Sequence, residues 1–335
     1  MKGMVYTRVG SPEVLKIMDI KRPIPKDNQV LINIKSSAIS NLEYMRFGNK
    51  IGNKKPPLFS RFINIVLNAT GKPLGADVSG IVEEVGRNVK SVKKGDEVFG
   101  ITSNFIGGWA EYALLDEKKL YTKPSTFSFE EAGAIPTGCI TALGAVRSAK
   151  FKEGHEVLVY GASGGVGHYV VQLSKAFGAI VTGVCSTRNL EIIRSIGAYF
   201  VIDYKKEDFT KKGKTYDAII IVNGYNPLKI YNKLLNKGGK CIFVGGIKQA
   251  MLGSLGSMFY SIFSGKKFIP FAFPFMPVKK SLAELKLLAD EGKIKPFIDK
   301  VYPIQDIEEA IRYVIETHPQ GKVVINMDFR SSWTG

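Results

Sequence analysis

The chain has 335 residues, enough for two domains and short for three. Its 45% apolar and 23% charged residues exclude a disordered chain, and its three cysteines exclude a disulfide framework and a four-cysteine zinc lobe. The balance of 47 Lys and Arg against 30 Asp and Glu gives +17, which leaves nucleic acid, a membrane surface or an anionic ligand open as partners.

The start, Met1 to Arg8, lacks the apolar run and small-residue cleavage site of a secretory signal. Residues 1 to about 120 read as β-rich. Alternating segments such as Gln29 to Lys35 and Gly80 to Val85 are set off by turn residues, and Lys94-Gly95-Asp96 turns into Glu97 to Gly100. Glu130 to Val146 has helical spacing. Strands are then expected at His155 to Tyr160, Ile180 to Cys185, Phe200 to Asp203, Tyr216 to Val222 and Lys240 to Val244, with helices at Gly165 to Phe177 and Leu190 to Ile196. That alternation predicts βαβ units in a parallel sheet.

The most apolar stretch, Ile247 to Val278, is broken by Gly253, Gly256, Pro270, Pro274 and Pro277, so no membrane-spanning helix is expected there. The tail predicts helices at Ser281 to Glu291 and Ile307 to Glu316, and strands near Val301 and at Lys322 to Ile325. A soluble cytoplasmic protein is the expectation, consistent with few cysteines.

The chemistry is carried first by Gly161-Ala162-Ser163-Gly164-Gly165-Val166-Gly167, directly after the first βαβ strand and opening its helix. Glycines there permit unusual dihedrals and a close approach of backbone to a pyrophosphate, which the free N–H groups of the helix start would hold. The spacing is GxxGxxG rather than GxGxxG. The second strand then ends Val184-Cys185-Ser186-Thr187-Arg188-Asn189, with no acid to bind a ribose 2′-OH. Hydroxyls and a guanidinium suit a 2′-phosphate, so NADP(H) is expected over NAD(H).

These residues resemble the medium-chain dehydrogenase/reductase superfamily, in its zinc-independent quinone oxidoreductase branch. The likeness runs along essentially the whole chain. It is carried by Gly75 to Gly86, Lys94 to Val98, Gly108 to Tyr112, Ala134-Ile135-Pro136, Thr141-Ala142, the glycine loop, Val201 to Tyr204 and Gly321 to Val324. The resemblance implies an α/β fold: a GroES-like β-domain (residues 1–122, completed by 271–335) and a Rossmann doubly wound parallel-sheet domain (123–270). It implies NADPH-dependent reduction of quinones or α,β-unsaturated carbonyls, in a homodimer. It adds Thr141, Tyr204, Asn223, Gly245, Gly246 and Lys322 to the cofactor contacts Gly161, Ser163, Gly164, Gly165, Val166, Gly167, Ser186 and Arg188.

Zinc-dependent relatives have Cys in the segment where this chain has Ile39-Ser40-Asn41, and His-Glu where it has Ala76-Asp77, so no metal is expected. The branch's Asn followed three residues later by Asp is here Ser40 and Glu43, with Asn41 one place off. Without a metal, placement of the acceptor over the nicotinamide and one or two hydrogen-bond donors would carry hydride transfer. Ser40 and Tyr44 are the candidate donors. His155, His168 and His318 are read as structural or exposed rather than catalytic.

Two further stretches, residues 56–67 and 251–276, are rich in apolar side chains. They would line an apolar cleft, join a dimer, touch a membrane peripherally or simply pack. Two other functions stay open at this point. One is a nucleotide-binding protein acting on RNA or a membrane partner, although no RNP-like motif is present. The other is an alcohol dehydrogenase-like carbonyl reductase.

Overall fold

The computed structural model describes residues 1–40, 43, 46–47, 70–224, 226–244, 261, 264–271 and 276–330. By internal contacts the chain divides into two units, one of Met1–Thr137, Val278–Asp290 and Ile298–Gly335, the other of Gly138–Pro277 and Glu291–Phe297. The first dividing point lies beyond the expected 122/123, because the helix at 129–134 packs on the strands at 29–38 and 77–85; the second lies at 277/278 rather than 270/271.

The first strands are β1 (Lys2–Tyr6), β2 (Leu15–Asp19), β3 (Gln29–Ala38), β4 (Lys72–Pro73), β5 (Asp77–Val85), β6 (Glu97–Ile101), β7 (Tyr112–Asp116) and β8 (Leu120–Thr122). β3 is buried on both faces through Val30, Leu31, Ile32 and Ile34, and pairs antiparallel with both β5 and β7. The turn into β6 uses Gly95 at φ 92°, as the Lys-Gly-Asp triplet demands. Helix α1 (Phe129–Ala134) starts on a reciprocal capping box between Ser128 and Glu131 and lies against β3 and β5. A second helix, α2 (Pro136–Ala149), follows at once. The single helix expected over 130–146 is therefore two, divided where Pro136 lacks the N–H needed to continue the first.

In the second unit come β9 (Glu156–Tyr160), α3 (Gly167–Ala176), β10 (Ile180–Cys185), α4 (Leu190–Ser195), β11 (Phe200–Asp203), β12 (Tyr216–Ile221), α5 (Leu228–Leu234), β13 (Leu235–Val244) and β14 (Lys267–Phe271). All six strands run parallel in the order β11-β10-β9-β12-β13-β14. Leu158, Val184, Ile219 and Phe243 form its core with Phe209 and Tyr231. The order reverses between β9 and β12, and a crevice at the carboxyl ends of such strands is where doubly wound sheets bind nucleotides. β14 was not foreseen. It holds Pro270, which an edge strand tolerates, and it lies in the stretch read only as an apolar insertion.

The chain ends with α6 (Val278–Asp290), β15 (Ile298–Pro303), α7 (Ile307–Thr317) and β16 (Lys322–Asn326). Ile307, Ala310, Ile311 and Ile315 form the buried stripe of α7. β16 pairs with β3 and β15, so this tail completes the seven-stranded sheet of the first unit. Among the described residues no helix is long and apolar enough to cross a membrane.

Candidate active site

In the second unit the polar groups gather at the tips of β9, β10 and β12. Gly161 leaves β9 at φ 84°, and a Cβ there would stand 2.8 Å from the backbone nitrogen of Asn223, so the loops after β9 and β12 touch. Gly167, the first residue of α3, would place a Cβ 2.0 Å from the Gly161 carbonyl oxygen. Only glycine allows the loop to fold this tightly onto its own helix. The space above Gly164 is open, its added Cβ meeting nothing closer than the Gly161 oxygen at 3.7 Å. Gly165 and Val166 are half-buried beside it, and the His168 ring nitrogen Nδ1 lies 2.9 Å from the Gly164 carbonyl.

Sequence reasoning missed Asn189. Its amide donates to Ser163 Oγ at 2.7 Å and to Ser186 Oγ at 3.1 Å, tying the glycine loop to the end of β10. Both serine hydroxyls accept from Asn189 and so keep their own protons to donate. Thr187 and Arg188 are exposed beside them, as is Tyr204 just past β11. The acid nearest this tip, Asp203, accepts from Thr187 Oγ1 at 2.6 Å and from the Lys205 amide at 3.0 Å. Those bonds and two neighbouring lysines hold its carboxyl below the usual range. Asn223 is exposed and Thr141 half-buried on α2; Gly245 and Gly246 lie outside the described residues. An open glycine loop at a helix start, with spare hydroxyl donors and a guanidinium alongside, fits a dinucleotide.

In the first unit, register brings distant residues together. Ala38 pairs with Asp77 on β5 and with Val324 on β16, so the end of β3 meets the starts of both strands. Asp77, fully buried, accepts from Thr137 N at 2.9 Å and Thr137 Oγ1 at 2.6 Å, and lies 3.6 Å from Lys322 Nζ. Burial pushes its carboxyl up; Lys322 and Thr137 oppose that. Lys322 was expected to reach the cofactor. Here its ammonium is buried against Asp77, because the register of β16 delivers it there.

Beyond β3, Ser40 donates its hydroxyl to Glu43 Oε2, and its backbone N–H donates to the same oxygen at 2.8 Å. Glu43 is fully buried, and among the described residues its Oε1 has no hydrogen-bond partner. Burial pushes its carboxyl up, aided by the charge of Asp77 and opposed by the Ser40 hydrogen bond. Tyr44 and Asn41 lie outside the described residues, as does the 56–67 stretch.

A catalytic zinc does not fit this donor set. Ala76 offers a buried methyl, Asp77 is already bonded to Thr137 and Lys322, and Ser40 is bonded to Glu43. The three cysteines all belong to the second unit as buried free thiols. Among the described residues no group of three His, Cys, Asp or Glu is placed to hold a metal.

Residues 26–125 match the family model of the alcohol dehydrogenase GroES-like domain, and residues 196–325 that of a zinc-binding dehydrogenase. The chain is 32% identical to the chloroplast envelope quinone oxidoreductase homolog of Arabidopsis thaliana, covering 97% of this chain and 98% of that one. It belongs to the quinone oxidoreductase branch of the medium-chain dehydrogenase/reductase superfamily. Another relative, the NADPH-dependent alkenal/one oxidoreductase of Arabidopsis thaliana chloroplasts, is 31% identical over 97% of this chain and 79% of its own. The solved quinone oxidoreductase of Coxiella burnetii superposes with a TM-score of 0.84 at 27% identity, over 97% of this chain and 99% of that one. Membership fixes the coarse chemistry: this oxidoreductase works with a nicotinamide cofactor, and the cradle after β9 fits one. The loop, Ser186 and Arg188 were singled out from sequence, and Glu43 was named with Ser40 as the counterpart of the branch's Asn and Asp; the bonds of Asn189, Asp203 and Thr137 were not foreseen.

Proposed function

We propose that the protein is an NADPH-dependent reductase that passes hydride to a quinone or an α,β-unsaturated carbonyl without zinc. One observation carries the choice of NADPH. The β10 tip carries Ser186, Thr187 and Arg188, and among the described residues the acid beside it, Asp203, is buried and already accepts from Thr187 and the Lys205 amide. Its side chain is thus turned to internal donors rather than to a ribose 2′-OH, while the hydroxyl donors and the guanidinium favour a 2′-phosphate. The NADPH-dependent relative supports the same reading.

When bound, NADPH would supply the hydride. Gly161 to Gly167 would hold the pyrophosphate at the start of α3, with Ser163 donating, and Ser186, Arg188 and Tyr204 would face the 2′-phosphate. In the reduction of a quinone or enone, negative charge arrives on an oxygen conjugated with the carbon attacked, so a strong Lewis acid is less necessary than for a simple ketone and a hydrogen-bond donor can serve. Ser40 is the candidate donor among the described residues; its single hydroxyl proton is given to Glu43 in this structure and would have to turn from Glu43 to the acceptor oxygen. The poor fit of zinc to Ser40, Ala76 and Asp77 supports a metal-free reaction. A cytoplasmic setting belongs to the same proposal, since Cys139, Cys185 and Cys241 are all buried free thiols.

The test is oxidation of NADPH and of NADH, followed at 340 nm, across a panel of quinones, enones and enals. The proposal requires acceptor-dependent turnover with NADPH preferred. Equal efficiency with both coenzymes would remove the roles given to Ser186 and Arg188.

A further inference from the structure

The excess of positive charge is not explained by one 2′-phosphate. Part of it converges at the opposite end of the parallel sheet, where β9 and β12 begin. A depression with a cavity volume of about 90 Å³ is lined there by Lys150, His155, Asp217, Lys237, the Gly238-Gly239 backbone and Lys240. Lys267 adjoins it, because β13 and β14 pair Lys240 directly with Lys267. Among the described residues none of these four lysines makes an ion pair or a side-chain hydrogen bond.

The nearby acids are otherwise engaged. Asp217 accepts from the Glu156 amide at 3.0 Å and from Asn236 Nδ2 at 2.8 Å, while Glu156 pairs with Lys214 at 2.9 Å. Lys150 follows the C-terminus of α2, where a cation complements the helix dipole. Lys237 and Lys240 on β13 and Lys267 on β14 have no such explanation. Burial and the charges of Lys150 and Lys267 together hold the Lys240 ammonium below its usual range. Such repulsion costs stability unless an anion offsets it.

We propose that this depression, bounded by Lys150, Lys237, Lys240 and Lys267, is a second anion site that takes a compact phosphate group. It stands apart from the cofactor cradle, which opens at the other end of β9, about 17 Å away along a five-residue strand. The ligand class is a phosphoanion, either free in solution or carried by a lipid headgroup.

Inorganic pyrophosphate is titrated calorimetrically into the full chain with NADPH present in excess, for the wild type and for Lys237→Gln/Lys240→Gln. The expected result is a site that weakens about tenfold or more in the double variant, with NADPH affinity unchanged and a thermal midpoint no lower than that of the wild type. The comparison of the two proteins holds whether or not NADPH binds, because a pyrophosphate captured by the glycine loop would bind both alike.

Co-sedimentation with phosphatidylglycerol vesicles, against phosphatidylcholine vesicles, separates the sources. Lysine-dependent capture by the anionic vesicles assigns the site to headgroups; lysine-dependent pyrophosphate binding without vesicle capture assigns it to a soluble phosphoanion. The proposal is overturned if neither ligand binds, or if neither binding responds to the two substitutions.

Discussion

At the tips of β9, β10 and β12 Thr187, Arg188 and Asn223 are exposed while Ser186, Asn189 and Asp203 are buried, and the hydrogen bonds among them run to partners nearby in sequence or one strand away. Asn189 spans Ser163 and Ser186, Thr187 bonds Asp203, and Asn223 lies on Gly161. At the ends of β3, β5 and β16 the charges are buried: Asp77 takes its partners, Thr137 and Lys322, from far along the chain, and Glu43 takes Ser40 from three residues away. The first arrangement leaves hydroxyl donors over, which suits a region that must grip an anionic ligand. In the second, most donors and acceptors are paired internally, which fixes geometry at the cost of desolvated charge. The two regions should therefore fail differently when a side chain is removed.

The largest effect is expected from Asp77→Ala. It leaves the Lys322 ammonium buried without its counter-ion and should cost about 3–5 kcal/mol in chemical denaturation. The double change Asp77→Ala/Lys322→Met should recover most of that loss. Gly167→Val comes next, since its side chain must displace the Gly161 carbonyl that a Cβ already reaches at 2.0 Å. A loss of about 3 kcal/mol is expected, together with loss of NADPH fluorescence enhancement on mixing.

Arg188→Ala should leave stability alone. It should weaken NADPH about 10- to 100-fold, the range of a charge-assisted bond worth about 1.5–3 kcal/mol, while sparing NADH. Were it to weaken both coenzymes equally, Arg188 would be a structural residue and the contrast between the regions would narrow.

The smallest effect is a slope. Burial raises the Glu43 carboxyl above its ordinary value of 4.5, so the folded state binds that proton more tightly than the unfolded one. Stability contributed by Glu43 is thus full below pH 4.5 and falls as pH rises toward the raised folded value. Glu43→Gln should flatten this slope in denaturant midpoints measured from acid to neutral pH. An unchanged slope would mean the carboxyl is ionised in the folded protein.

Much of the nucleotide-binding unit was readable because its signals are local. A strand, a glycine turn and a helix follow one another between residues 155 and 177, and β-branched runs mark β10, β11 and β12. β14 escaped because Lys266, Lys267 and Pro270 disguise a five-residue edge strand, and α5 because it is a single short amphipathic turn or two. The buried cluster escaped for a different reason. Asp77 and Lys322 meet only through the registers of β3 with β5 and β16, and Thr137 reaches Asp77 from a helix; periodicity carries neither register nor helix docking. Lys322 shows the consequence. Read as part of a motif it looks like a ligand contact; register also gives it Asp77, a partner the motif does not show.

The central claim is hydride transfer from NADPH, selected by the β10 tip. Its most direct measurement is the ratio of kcat/KM for NADPH to that for NADH with one reactive quinone and one enone, in the wild type and Arg188→Ala. The account predicts acceptor-dependent turnover with a clear NADPH preference that collapses in the variant. Turnover equal with both coenzymes, or a preference untouched by the loss of Arg188, would contradict it.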